Sequence, residues 1–371
     1  PAYNPLDRDV DRARACNVTE EEAVVARFLE CANTEQRAVY DEIMAAVVAG
    51  HGGFFFVDAP GGTGKTFTFN ALLAALRAAG KIALATAASG IAAILLRDGQ
   101  TAHSMFKLPV RNLKRGICCN VPRNSPKAHL MLAAEFYVWD EISMVHHFLP
   151  EALDITLRDL TNSIVLFGGK VVVLGGDFRQ ILPVVKRGSR TDIVNASLKN
   201  SPLWKELRVL RLVVNERVRR RMANEPDAAK RAAAERYAEL LSRVGNGTEK
   251  SHHEIYHNAI ELDPALVSPV ATLQQFVESV YPGIATRPIT PTGTSDPTSE
   301  WLCGRAILSP KHVGVNAIND MIMEKFPGEM VELLSADCVA PTDDNPHLYT
   351  EETLNALGDK ISGLPKHKLR L

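Results

Sequence analysis

Residues 59–66 read Ala59-Pro60-Gly61-Gly62-Thr63-Gly64-Lys65-Thr66, and this short stretch decides the fold. Gly61, Gly62 and Gly64 let the backbone bend its N–H groups around phosphate oxygens. Lys65 then stands where an ammonium reaches the β/γ-phosphates, and Thr66 where a hydroxyl ligates Mg²⁺. Alanine at 59 takes the place that glycine usually holds. A Gly-rich turn alone is weak, but its flanks agree with it. Phe54-Phe55-Phe56-Val57, between Gly52-Gly53 and Asp58, has the length of a buried strand. An Ala/Leu-rich helix is predicted after the loop to about Ala79, stopped by Gly80. The N-terminus of such a helix points at the same anion.

Working outward, the same alternation repeats. Strands are predicted at Ile82–Ala85, Phe136–Trp139, Val171–Leu174 and Val209–Val213, with a helix from Gly90 to Arg97. Short apolar strands alternating with helices imply an α/β fold whose parallel sheet is covered on both faces. Ligands in such sheets sit at the carboxyl ends of the strands, which places Lys65, Asp140 and Asp177 around one crevice. The first 33 residues are polar, with a helix expected over Thr19–Glu30, capped by Thr19 with Glu22 three residues on. In the second half a helix is predicted over Ala228–Val244, a loop or insertion over 282–299, a strand at Ala306–Ser309 and a helix from about Val315 to Lys325. The chain carries no internal repeat.

Three further side chains complete a hydrolytic site. Asp140 ends one strand and is expected to hold Mg²⁺ through water. Glu141 beside it is expected to activate the attacking water as general base. Gln180, in Gly176-Asp177-Phe178-Arg179-Gln180, carries a neutral amide that can donate to a γ-phosphate and accept from the water.

Bulk composition excludes other classes. The chain has 371 residues, 46% hydrophobic and 23% charged, which is neither disordered nor a disulfide scaffold. With 42 Lys+Arg against 43 Asp+Glu, any electrostatic case for nucleic acid is local. Residues 179–243 hold 16 Lys/Arg and 7 Asp/Glu, whereas 251–371 hold 8 and 16. None of the six cysteines forms a C-x-x-C pair, so they read as reduced thiols rather than zinc ligands. No run of 18 apolar residues predicts a membrane span. The acidic start does not read as a signal peptide, and Pro1 in place of Met suggests a fragment or a processed chain.

The order of motifs resembles the Pif-type (petite integration frequency) DNA helicases of superfamily one, and most of all the subgroup that includes the helicase part of Helitron transposons. The matching stretches are Asn33-Thr34-Glu35-Gln36, Ala59–Phe67, Thr86–Phe106, Val138–Met144 (VWDEISM), Gly175–Val184 (GGDFRQILPV) and Leu198–Val218. Weaker matches are Val244–Thr248, Arg305–Asp337 and Ser362–Leu371. The resemblance covers roughly residues 33–371. It implies a P-loop NTPase with a RecA-like parallel sheet over 33–218 and an incomplete second RecA-like domain over 219–371, after an N-terminal extension of 1–32. ATP and Mg²⁺ are the implied cofactors. Ala59, Pro60, Gly61, Gly62, Thr63, Gly64, Lys65, Thr66 and Phe67 would line the nucleotide, Gln36 would read the adenine, and Arg217 would reach the γ-phosphate across two motor domains. Thr86, Ser89, Thr101 and His103 fall in stretches that contact single-stranded DNA backbone in these helicases, and Phe106 is a candidate to stack on a base.

The implied activity is ATP-driven 5′-to-3′ movement on single-stranded DNA and unwinding of DNA forks, in repair, recombination or telomere maintenance. No membrane and no particular protein partner is implied. The compartment would be intracellular: the nucleus, with the mitochondrion as the alternative. The chain stops before the family's late motifs, so a truncated mobile-element remnant that binds nucleotide without unwinding is the competing reading. A small-molecule kinase with the same loop would have no use for GGDFRQ or for the long second half.

Overall fold

The computed structural model describes residues 4–250, 259–287, 297–328, 331–336, 350, 353–355 and 368–370. It divides into two compact units, Pro1–Glu249 and Lys250–Leu371. In the first unit the helices are α1 (Arg8–Arg14), α2 (Val18–Cys31), α3 (Thr34–Ala49), α4 (Lys65–Ala78), α5 (Gly90–Ile94), α6 (Ala102–Phe106), α7 (Pro126–Ala133), α8 (Phe148–Thr161), α9 (Arg190–Ala196), α10 (Glu216–Asn224) and α11 (Ala228–Asn246). Its strands are β1 (Gly53–Asp58), β2 (Ala83–Ala87), β3 (Gln100–Thr101), β4 (Phe136–Asp140), β5 (Val171–Gly176) and β6 (Arg208–Arg211).

All six strands pair in parallel, in the order β3-β2-β4-β5-β1-β6. Successive side chains of a strand face opposite ways, and here both faces are buried. Phe54, Phe56, Leu84, Tyr137, Trp139, Val172 and Leu174 belong to one apolar cluster. Phe55, Val57, Ala83, Ala85, Phe136, Val138, Val171 and Val173 belong to the other. That explains why the strands read as continuous apolar runs rather than alternating ones. The register sets the site: Asp58 lies opposite Gly176, and Ala87 opposite Asp140. The loop after β1 and the carboxylates after β4 and β5 therefore emerge along one edge of the sheet.

Several expectations are corrected. Helix α2 starts at Val18 and is capped by Asn17, which accepts from the Glu20 amide; Thr19 lies inside it. The segment before residue 33 packs within the first unit. Phe28 is fully buried, packed on Tyr40 and Phe67 with ring centroids 5.0 and 5.1 Å away. The first unit also runs past 218, through α10 and α11, to Glu249. Helix α5 ends at Ile94, short of Arg97.

The second unit contains α12 (Leu273–Val280), α13 (Pro297–Cys303), α14 (His312–Lys325) and an antiparallel pair, β7 (Glu332–Leu334) with β8 (Lys368–Arg370). Val277, Tyr281, Ile284 and Ile318 form its small core. Residues 306–309 are not a strand. No neighbour strand pairs with them among the described residues, and Leu308 is 92% exposed. Of the insertion at 282–299, residues 288–296 lie outside the described residues, as does most of the Ser362–Leu371 match.

Candidate nucleotide site

The loop between β1 and α4 is closed by its own backbone. The Ala59 amide donates to the Gly176 carbonyl at 3.2 Å, tying the loop to β5. The Thr63 amide and hydroxyl both donate to the Pro60 carbonyl, at 3.2 and 2.8 Å. Gly62 and Gly64 have φ of 92° and 86°, a left-handed conformation that costs a residue with a Cβ roughly 1–2 kcal/mol. Gly64 is the N-cap of α4 and provides no side-chain cap. The first amides of α4 are thus left for an anion at the positive end of the helix.

Lys65 is buried, and its Nζ sits 2.6 Å from Asp140 Oδ1 and 2.9 Å from Glu141 Oε1. Burial alone would lower the pKa of this ammonium, but the two carboxylates override it and hold Lys65 above its ordinary value. The Asp140 carboxyl is pushed up by burial, an effect that Lys65 opposes. Glu141 stands at φ 56°, ψ 36°, a strained backbone for a side chain of its size, and its amide donates to Asp140 Oδ1 at 2.7 Å. Asp140 also lies close under β5: a Cβ at Gly175 would come within 3.0 Å of its Oδ1.

Gln180 lies beside the loop, its Nε2 3.9 Å from where a Gly61 Cβ would stand. Nε2 donates to Asp177 Oδ2 at 2.9 Å. The other oxygen of Asp177 accepts from Arg179 Nη1 at 2.9 Å. Arg179 also reaches Asp58 and Asn246, at 3.2 and 2.9 Å, so it joins the ends of β1, β5 and α11. Sequence reasoning passed over Arg179, although it sits inside the quoted GGDFRQ. Arg217 is exposed, and its amide donates to the Gly62 carbonyl at 3.2 Å, so its backbone rests on the loop within the first unit.

Other expected site residues are engaged differently. Gln36 is buried, its Oε1 accepting from the Asn33 amide at 3.1 Å and its Nε2 donating to the Thr63 carbonyl at 2.9 Å. Its amide thereby braces the phosphate loop. Phe67 is half-buried against Phe28. Thr66 is half-buried in the first turn of α4. Thr86 is fully buried and donates to the Val138 carbonyl at 2.7 Å, which corrects its assignment as a DNA contact. Phe106 is corrected likewise: it is fully buried between Tyr137 and Trp139, centroids 6.1 and 5.7 Å away, with no face left for a base. Ser89 and Thr101 are half-buried N-caps of α5 and α6, accepting from the Ala92 and Ser104 amides. His103 is half-buried, and burial lowers its pKa, which favours a neutral ring over a cation facing phosphate.

A family model described as PIF1-like helicase matches residues 31–255. The chain belongs to the PIF1-like helicase family. An ATP-dependent DNA helicase PIF4 from Trypanosoma brucei brucei is 33% identical over 132 residues, covering 34% of this chain and 16% of that protein. An ATP-dependent DNA helicase PIF1 from Candida albicans is 24% identical, over 97% of this chain and 42% of that protein. The chain thus spans less than half the length of these curated relatives. The crystal structure of the Pif1 helicase from Candida albicans aligns with a TM-score of 0.56 at 19% identity, over 91% of this chain and 63% of that one. That likeness supports the RecA-like P-loop fold seen in the sheet. Among the described residues no group of three or more His, Cys, Asp or Glu side chains forms a metal centre, and no helix is long and apolar enough to cross a membrane.

Proposed function

We propose that this PIF1-like chain binds ATP with Mg²⁺ and hydrolyses it to drive 5′-to-3′ movement on single-stranded DNA and the opening of forks. The observation that carries the reading is the bracket of Lys65 between Asp140 and Glu141 beside a loop whose helix is uncapped. Lys65 would turn from the two carboxylates toward the phosphates of a bound nucleotide. Asp140 and the Thr66 hydroxyl are hard oxygen donors, of the kind Mg²⁺ takes alongside substrate phosphates and water. Bound there, the ion would neutralise phosphate charge. Glu141, released from Lys65, takes the proton of the attacking water. Gln180 orients that water, and Arg217 meets the charge that develops on the transferred phosphoryl.

DNA backbone contacts come from Arg219, Arg220 and Arg221 of α10 and from Ser89, Thr101 and His103, and the second unit forms part of the second motor domain. Repair, recombination or telomere maintenance, in nucleus or mitochondrion, fits this activity. The test is ATP turnover and strand displacement on a 5′-tailed duplex, with Glu141→Gln as control. That variant should still bind nucleotide while losing about 10²–10⁴-fold in turnover, since it keeps hydrogen bonding and loses the base. Near-normal turnover would remove Glu141 from the mechanism.

A further inference from the structure

The first turn of α3 grips two segments at once. Glu35 Oε2 accepts from the amides of Val213 and Val214, at 2.7 and 3.0 Å. Both amides lie in the connector between β6 and α10. Their partner is a charged oxygen, which makes short and strong bonds. Asn33 Nδ2 donates to the buried Glu216 carboxylate at 2.6 Å. The same turn holds the phosphate loop through Gln36 on the Thr63 carbonyl.

The connector in turn touches that loop directly. Asn215 Nδ2 donates to the Gly61 carbonyl at 3.3 Å, and the Arg217 amide to the Gly62 carbonyl. The approach is tight: a Cβ at Gly62 would stand 2.6 Å from Asn215 Oδ1 and 3.1 Å from Arg217 Cβ. Gly62 is therefore required by the connector as well as by its φ.

We propose that Glu35 and Asn33 are positioning residues, which hold the Arg217 segment in register with the phosphate loop. Neither side chain needs to touch nucleotide for this role. The proposal rests on the reading of Arg217 as the arginine that meets the γ-phosphate. It makes the Asn33–Gln36 turn a bracket between the loop and helix α10, where the family resemblance implied only an adenine reader.

The experiment compares the full 371-residue chain with Glu35→Ala, Glu35→Gln, Arg217→Ala and the double variant Glu35→Ala/Arg217→Ala. Two readouts are taken: amide hydrogen exchange across Val213–Met222 without nucleotide, and ATP turnover split into kcat and KM. In Glu35→Ala, exchange should rise in that segment, and kcat should fall about 10²-fold, the scale of a misplaced catalytic group. KM for ATP should change little. Glu35→Gln should keep most of the activity, because its amide oxygen still accepts from both N–H groups. The double variant should be no slower than Arg217→Ala alone, since one effect acts through the other. Unchanged exchange in Glu35→Ala overturns the bracket. Faster exchange with normal kcat, beside a slow Arg217→Ala, overturns the positioning role and leaves the Arg217 reading intact. Losses that multiply in the double variant also overturn it. If Arg217→Ala itself turns over normally, the Arg217 reading fails and the positioning role fails with it.

Discussion

Lys65 is the residue on which the site turns. Its ammonium is the one cation within salt-bridge reach of both Asp140 and Glu141 among the described residues, and Asp140 is 3% exposed. Lys65→Ala should abolish nucleotide binding or hydrolysis. It should also strand a buried carboxylate. Burial already raises the Asp140 pKa while Lys65 opposes the rise, so removing Lys65 raises it further. A carboxyl whose folded pKa exceeds its unfolded value destabilises the fold when ionised. That penalty fades as pH falls through the folded pKa. The variant should therefore lose more thermal stability relative to the parent at neutral pH than at mildly acidic pH, as read by Tm across a pH series. A deficit independent of pH would show that Asp140 is not left uncompensated.

At the scale of elements, α6 separates the residues that resemblance pointed to from those that structure makes available. Thr101 and His103 keep some surface, while Phe106 ends the helix inside the core with Tyr137 and Trp139. Phe106→Ala should cost about 3–5 kcal/mol of stability, as an aromatic cavity does. The affinity of the folded variant for single-stranded DNA should stay near that of the parent. Denaturant unfolding and DNA titration on the same preparation check this. A selective loss of DNA affinity with stability intact would return Phe106 to the DNA surface. Helix α2 belongs at this scale too. Through Phe28 on Phe67 it steadies the first turn of α4, which carries Lys65 and Thr66.

Over the whole chain the charges nearly cancel, so the proposed DNA binding has to come from a local surface. Helix α10 presents Arg219, Arg220 and Arg221, all exposed; Arg219 also pairs with Glu216 at 2.8 Å. Affinity for single-stranded DNA should fall steeply with salt and tolerate sequence changes. Replacing Arg220 and Arg221 by Gln should flatten the slope of log affinity against log salt by about one to two units, at about 0.7 per phosphate contact. An unchanged slope would move the DNA path away from α10.

The α/β class of the first unit, with its parallel sheet, was legible from local pattern. The Gly-rich run at 61–64, the apolar runs that became β1, β4 and β5, and the carboxylates ending β4 are all short-range signals, and buried parallel strands carry them strongly. Lys65, Asp140, Glu141 and Gln180 could be named as candidates because each sits in the Gly-rich loop or just at the carboxyl end of a strand, where an open parallel sheet gathers its ligands. What burial decides was not legible. Thr86 and Phe106 carry types that suit a DNA surface, and only the packing of β2 and α6 against β4 turns them inward. The same holds for the contacts that join distant segments. Glu35 meets Val213 across 178 positions, Arg179 meets Asp58 across 121, and Asn33 meets Glu216 across 183. Periodicity and spacing describe neighbours along the chain. Which side chains meet across the ends of a parallel sheet depends on strand order and register, and those are set when the whole core closes.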